Sequence, residues 1–295
     1  MTEYPLLTAE KCNKSFLMNS QFTIDALKSV SFNIYRGEVL GIVGESGCGK
    51  STLARTIMGI YKLSSGAIYF NGNLISTSKG YARNKNEIQK KIQIIFQDST
   101  SSLNPNMTVS ELIAEPFVIH KIYQNKHGQE SKVDELLLSV GLGMQYKSLY
   151  PSEISCGQCQ RVNIARSIAL EPELIIADEP VASLDVSIQA QIITLFQNLQ
   201  SKKKFSFIFI SHDLSIVRII SDRVAVMYRG RIVEMTSTEK LFTSPRHPYT
   251  QSLLSAIPVP DPLYERQKSK FTIDTSTINE SGKFKEVEKG HWVYC

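Results

Sequence analysis

Residues 44–51 read GESGCGKS, so two outer glycines, Gly44 and Gly49, are followed at once by Lys50 and Ser51. Each residue type in this G-x-x-x-x-G-K-S spacing has a physical use. Glycines let successive backbone N–H groups close around an anion, a lysine brings fixed positive charge, and a serine hydroxyl is a hard oxygen donor for a divalent cation. The stretch follows an apolar run, VLGIV at 39–43, and precedes LARTIMGI at 53–60, which reads as strand, turn and helix. A helix N-terminus there adds a favourable dipole for an anion. The pattern points to the binding of nucleotide phosphates by Gly44, Glu45, Ser46, Gly47, Cys48, Gly49, Lys50, Ser51 and Thr52. Lys50 would reach the β- and γ-phosphates and Ser51 would ligate Mg²⁺. Cys48 is a small spacer in this loop.

A phosphate loop needs a carboxylate for its metal, and LIIADEP at 174–180 supplies one. Four apolar residues end in Asp178 and Glu179, at the carboxyl end of a strand, where nucleotide sites of open α/β sheets form. Asp178 is the candidate to hold Mg²⁺ through its water shell. Glu179 is the candidate to polarise an attacking water, because hydrolysis needs a base or water-positioner beside the γ-phosphate.

The stretch YPSEISCGQCQR at 150–161 poses a separate question, since Cys156 and Cys159 stand in a C-x-x-C spacing. A zinc site needs four ligands, and the chain has no second C-x-x-C and no close pair among its histidines at 120, 127, 212, 247 and 291. A redox dithiol reading wants a strand immediately before the motif, whereas Tyr150-Pro151 precedes it. Ser155 with Gln158 three residues on is instead a capping-box pair, so the segment reads as a helix N-terminus suited to phosphate.

These residues need a scaffold. The chain has 295 residues, 42% of them hydrophobic, enough to bury a full core, and its net charge of +5 is small and scattered. Neither composition nor charge points to nucleic acid, and none is expected as a partner. The opening MTEYPLLTAEK has no basic stretch leading into an apolar one, so no secretory leader is expected, and no apolar run is long enough to span a membrane. Short β-rich runs alternate with helical stretches, which predicts an α/β fold. Candidate strands are 39–43, 66–74 (carrying an Asn71-Gly72 turn), 92–96, 174–177, 205–210 and a hairpin at 223–235 turning near Gly230. A helical insertion is expected at about 100–170, with VDELLLSVGL its clearest piece. The basic run at 79–91 reads as a solvated loop or helix face. From residue 243 onward Pro, Ser, Thr and Lys predominate, which predicts an extension with little core of its own.

Together these motifs resemble the ATP-binding cassette (ABC) transporter ATPases. In family order come GESGCGKS, a Q-loop glutamine in IIFQD (Gln97), the signature ISCGQCQR, LIIADEP, a D-loop SLD ending in Asp185, and a switch histidine in FISHD (His212). The resemblance implies a P-loop NTPase (RecA-like) core with an antiparallel β subdomain, a helical subdomain and a C-terminal extension, over residues 6–242 and 243–295. The family signature is Leu-Ser-Gly-Gly-Gln; here Ile154 replaces Leu and Cys156 replaces the first Gly, so the C-x-x-C is a by-product of that substitution. The resemblance also implies that two cassettes sandwich two ATP molecules head to tail. Ser155, Gly157 and Gln158 would then touch ATP held by a partner, and Asp185 would contact the opposite cassette. Gln97 would sense Mg²⁺ and the attacking water, and His212 would contact the γ-phosphate. Phe16 is the candidate to stack on adenine, with Phe22 competing.

Residues 94–105, 176–192 and especially HPYTQSLLSAIPVPDP at 247–262 are similar to the second ATPase of oligopeptide and dipeptide importers. That implies ATP-driven peptide uptake from the cytoplasmic face of the membrane. The expected partners are a second ATPase subunit, making a heterodimer rather than a homodimer, two permease subunits and, through them, an extracytoplasmic solute-binding protein. The alternatives are an importer of nickel or another small solute, or a non-transport ABC ATPase. Replacement of Gly by Cys156 leaves two outcomes open, a neutral change or a defect at the partner's ATP site.

Overall fold

The computed structural model describes residues 4–19, 22–123, 125–256 and 282–295. The chain divides into two compact units, Met1–Tyr81 with Phe209–Cys295, and Ala82–Ile208. In the first, strands β1 (Leu7–Asn19), β2 (Phe22–Ile34), β4 (Ser65–Phe70) and β5 (Asn73–Leu74) form an antiparallel sheet in the order β2-β1-β4-β5. Strand β3 (Val39–Val43), buried at all five positions, leads into helix α1 (Lys50–Ile57) and lies parallel to β9 (Arg223–Tyr228), Val43 opposite Val226. A strand buried on both faces needs a continuous apolar run rather than alternation, which VLGIV and RVAVMY supply. Strand β9 turns into β10 (Arg231–Ser237) through Arg229 and Gly230, at φ 45° and 84°, and β4 turns into β5 through Asn71 and Gly72, at φ 49° and 76°. Two successive positive φ values are what a two-residue hairpin turn requires.

The second unit pairs β6 (Ile92–Ile95) parallel to β7 (Leu174–Asp178) and packs α3 (Val109–Ile119), α4 (Lys126–Ser139) and α5 (Cys156–Ile168) against one another. Helix α6 (Val186–Lys203) follows. Thr108 and Glu111 form a capping box at the start of α3, and Asn125 accepts from Gly128 N–H at the start of α4. Two elements cross the boundary along the chain: α2 (Ser78–Lys91), which is the basic run, and β8 (Ser206–Ser211), whose six residues are all buried. Helix α7 (Leu214–Ile220) follows β8, capped by the Asp213 carboxylate.

Two features go beyond the sequence reading. The long strands β1 and β2 were not expected, because their pairing shifts register four times and Lys11 and Ser29 take φ of 45° and 55°. Bulges of this kind break the two-residue alternation by which a strand is recognised. The packing of the C-terminal segment is the second feature, one that the sequence reading left open. Helices α8 (Thr238–Thr243) and α9 (Pro248–Ser255) pack on β10, and β11 (Phe284–Glu288) and β12 (His291–Tyr294) extend its sheet in the order β11-β12-β10-β9-β3. Tyr249, His247, His291 and Val293 are buried there. The proline-rich part of that segment, residues 257–262, lies outside the described residues.

Candidate functional site

Strand β3 delivers the chain into the 44–52 loop at its buried end, and two glycines make the loop's path possible. A Cβ on Gly44 (φ 150°) would stand 2.2 Å from the Met227 carbonyl oxygen, and one on Gly49 (φ 111°) 2.4 Å from that of Ala26. Both obstacles are backbone, so no side chain can move to make room. Gly49 is also the residue that caps α1, and having no side chain it leaves the first N–H groups of that helix without a side-chain acceptor. Lys50 is 4% exposed, and its Nζ donates to the carbonyls of Gly44 at 2.7 Å and Glu45 at 2.9 Å. Glu45, Ser46 and Gly47 are exposed, while Ser51 and Thr52 are half-buried on the first helical turn. The result is a loop with three exposed residues and a buried lysine folded against its backbone, ahead of a helix N-terminus, which suits a phosphate chain. Burial pushes the Cys48 thiol above its ordinary range, with the Lys50 charge partly opposing, so it is a packed spacer and not a reactive thiolate.

Three other candidates lie in the same unit. Phe16 on β1 is half-buried, with its ring edge-on to Tyr61 at 5.1 Å and 81° and Lys14 Nζ 4.7 Å from its centroid. Phe22 is 58% exposed at the start of β2. His212 is exposed directly after β8.

In the second unit, β7 ends with Asp178, 2% exposed, and the chain turns sharply at Glu179, whose φ is 50°. A glutamate in the left-handed region stores backbone strain of order 1 kcal/mol, a feature that clusters at functional sites. Gln97 Nε2 donates to Glu179 Oε2 at 3.4 Å, so the fold brings together two candidates that are 82 residues apart. Asp185 stands exposed at the N-cap of α6 and makes no side-chain capping bond there. A serine hydroxyl and a carboxylate are oxygen donors of the kind Mg²⁺ takes, one or two from protein with the rest from phosphate and water. Among the described residues no group of three His, Cys, Asp or Glu side chains could hold a metal by itself.

The signature segment forms the start of α5. Ser155 N donates to Gln158 Oε1 at 2.8 Å and Gln158 N to Ser155 Oγ at 3.3 Å, the reciprocal capping box, and Gln158 Nε2 donates to Tyr146 Oη at 2.8 Å. A Cβ on Gly157 would meet Ile188 Cγ2 at 2.8 Å. The two cysteines have unlike surroundings: Cys156 is exposed, while Cys159 is buried with its thiol toward the Pro151 carbonyl and its pKa raised by burial to about 11.

Sequence reasoning missed one contact at the loop. Glu45 N donates to the hydroxyl of Tyr249 at 3.1 Å, across 204 residues of chain. The HPYT run was visible as a motif, but nothing in its residue types placed it beside the loop.

Among known proteins, a family model described as "ABC transporter" matches residues 27–182, more than half of the chain, and one described as "Oligopeptide/dipeptide transporter, C-terminal region" matches residues 233–286. The oligopeptide transport ATP-binding protein OppF of Bacillus subtilis (strain 168) is 47% identical over 286 residues, covering 96% of this chain and 93% of its own. OppF of Streptococcus mutans is 46% identical over 297 residues, covering 99% and 96%. Among solved structures, the dimeric post-hydrolysis state of the ATP-binding cassette MJ0796, bound to ADP and Pi, superposes with a TM-score of 0.71 at 26% identity, covering 79% of this chain and 98% of that one. Clostridium perfringens cbiO1, part of the transporter complex cbiONQ, gives 0.71 at 32% identity, covering 82% and 92%. With an α/β P-loop NTPase fold, the family's motifs in order and relatives matched along nearly their whole length, the chain belongs to the ATP-hydrolysing subunits of the ABC transporter family.

Proposed function

We propose that this chain is the ATP-hydrolysing subunit of an importer for oligopeptides or dipeptides, working at the cytoplasmic face of the membrane. The observation that carries the substrate class is the C-terminal region. The family model for oligopeptide/dipeptide transporters spans residues 233–286, and the OppF relatives match over nearly the whole chain. No helix among the described residues is long and apolar enough to cross a membrane. In this reading permease subunits, to which the chain is coupled, provide the transport path. The second ATPase is a different chain, making a heterodimer, and an extracytoplasmic binding protein delivers the solute to the permease.

In this reading the 44–52 loop holds the phosphates of ATP. Lys50 leaves its own carbonyl partners for the β- and γ-phosphate oxygens, and Ser51 with Asp178 provides for Mg²⁺, which supplies charge neutralisation of the phosphates when bound. Glu179 polarises the attacking water, Gln97 orients it and links it to the permease, and His212 stabilises the charge that develops on the γ-phosphate. Phe16 stacks on adenine. Ser155, Gly157 and Gln158 act on the partner's nucleotide rather than on this chain's own, and Asp185 contacts the opposite cassette. The 3.4 Å Gln97–Glu179 contact supports the assignment of a water-handling pair.

The test separates binding from chemistry. In the assembled transporter, Lys50→Ala is expected to abolish tight ATP binding, whereas Glu179→Gln keeps ATP bound and slows hydrolysis by about 10²–10⁴-fold. Undiminished turnover in Glu179→Gln rejects its role. Uptake of labelled peptides by cells, lost with Lys50→Ala, tests the substrate class; uptake of nickel alone would place the chain with the metal importers.

A further inference from the structure

We infer that Tyr249, in the C-terminal segment, is a positioning residue for nucleotide binding: its hydroxyl holds the Glu45 peptide and so sets the phosphate loop, within a frame formed by the C-terminal segment. Glu45 is gripped at both backbone polar atoms, its N–H by Tyr249 Oη at 3.1 Å and its carbonyl by Lys50 Nζ at 2.9 Å. The two residues after it, Ser46 and Gly47, are exposed, and a Cβ on Gly47 would meet nothing within 4 Å. The exposed rim is therefore held from its two flanks, at residue 45 and at the buried Cys48, whose carbonyl accepts from Gly230 N–H at 2.9 Å. A glycine-rich loop that must be ordered by its ligand binds more weakly than one ordered beforehand, because the ligand's contacts have to offset the lost conformational freedom.

Tyr249 is itself fixed at its ring and at its backbone N–H. Its ring, 4% exposed, packs on Tyr228 at the end of β9 with centroids 4.3 Å apart. Its backbone N–H donates to His247 Nδ1 at 3.1 Å, which starts α9. The start of α9 is pinned in turn by Glu234 on β10, a fully buried carboxylate whose oxygens accept from Arg246 N at 2.8 Å and His247 N at 2.9 Å. The same carboxylate lies 2.7 Å from Nε2 of His291, the buried first residue of β12, so one group ties the helix and the terminal hairpin to the sheet. Burial raises the phenol's pKa, so the hydroxyl meets the loop uncharged across physiological pH. The geometry makes the C-terminal region, otherwise remote in sequence, a strut for the loop.

This inference rests on the reading of residues 44–52 as the phosphate loop, and the experiment keeps the two failures apart. Tyr249→Phe retains the ring on Tyr228 and removes only the hydroxyl; Tyr249→Ala removes both. Each is made in the full chain, within the assembled transporter, alongside Lys50→Ala. Measured are KM for ATP, kcat, the thermal midpoint, and amide hydrogen exchange of the peptide spanning 44–52 without nucleotide. For Tyr249→Phe we expect KM to rise about threefold to tenfold, the range for one lost hydrogen bond, with a smaller fall in kcat. Exchange in the loop peptide should quicken while the thermal midpoint stays near that of the parent. A parental KM in Tyr249→Phe while Lys50→Ala has lost ATP overturns the inference alone. A KM raised only in Tyr249→Ala assigns the residue to packing and overturns it equally. Normal ATP binding in Lys50→Ala removes the phosphate-loop reading and this inference with it.

Discussion

The two helix N-termini that the proposed function offers to phosphate are built in opposite ways. Helix α1 starts at Gly49, in the left-handed region with no side chain to occupy its N–H groups, and its lysine is buried. Helix α5 starts at Ser155, in extended conformation, with a reciprocal capping box that satisfies the N–H groups of Ser155 and Gln158, and its first residue is exposed. The first terminus is left open by its own side chains, while the second is partly closed by them. The difference teaches which positions tolerate change. Where backbone crowds backbone, as at Gly44 and Gly49, one methyl group is too much. At α5 the capping is done by the side chains of Ser155 and Gln158.

The strongest way to break this contrast is Gly49→Ala. Its methyl group would lie 2.4 Å from the Ala26 carbonyl oxygen in a conformation that L residues disfavour. Overpacking against fixed backbone costs about 1–3 kcal/mol, and the positive φ adds to it. The thermal midpoint should fall and ATP affinity with it, as read by calorimetry and equilibrium binding; parental values for both would mean that the loop is soft, contrary to the comparison.

A smaller effect is expected at the other helix. Ser155→Ala removes the capping acceptor for Gln158 N and should lower stability by about 1 kcal/mol in denaturant unfolding. Because Gln158 still reaches Ser155 N, the loss stays partial. A loss as large as that of Gly49→Ala would erase the distinction between the two termini.

The smallest effect belongs to Cys156→Gly. Cys156 is exposed and is not among the residues with positive φ, so its side chain imposes no backbone strain that glycine would relieve. With each phosphate-loop lysine of the assembled transporter disabled in turn, turnover should change less than about twofold at either site. A selective gain at the partner's site would show that the cysteine does hold phosphate away.

How much could be read beforehand follows from the range of each interaction. The chemistry of GESGCGKS, the strand end at Asp178 and the cap at Ser155 depend on neighbours within a few residues, and local spacing carries that information. The buried strands VLGIV and LIIAD are equally local, since an unbroken apolar run needs both faces covered wherever it lies. What failed was periodicity across β1 and β2, where bulges at register shifts conceal the alternation, and the packing of the C-terminal segment was left open.

Residue types and spacing alone therefore pointed to a nucleotide-phosphate loop at 44–52 and to Asp178 and Glu179 as its candidate acids, because groups that do that chemistry sit at fixed short separations along the chain. Only the tertiary structure decided that Gln97 meets Glu179, that Glu234 joins the start of α9 to β12, and that Tyr249 touches the loop 204 residues before it. Such contacts arise where separate segments converge on a shared core, and a polar group buried there must find its partner in space, wherever along the chain that partner lies.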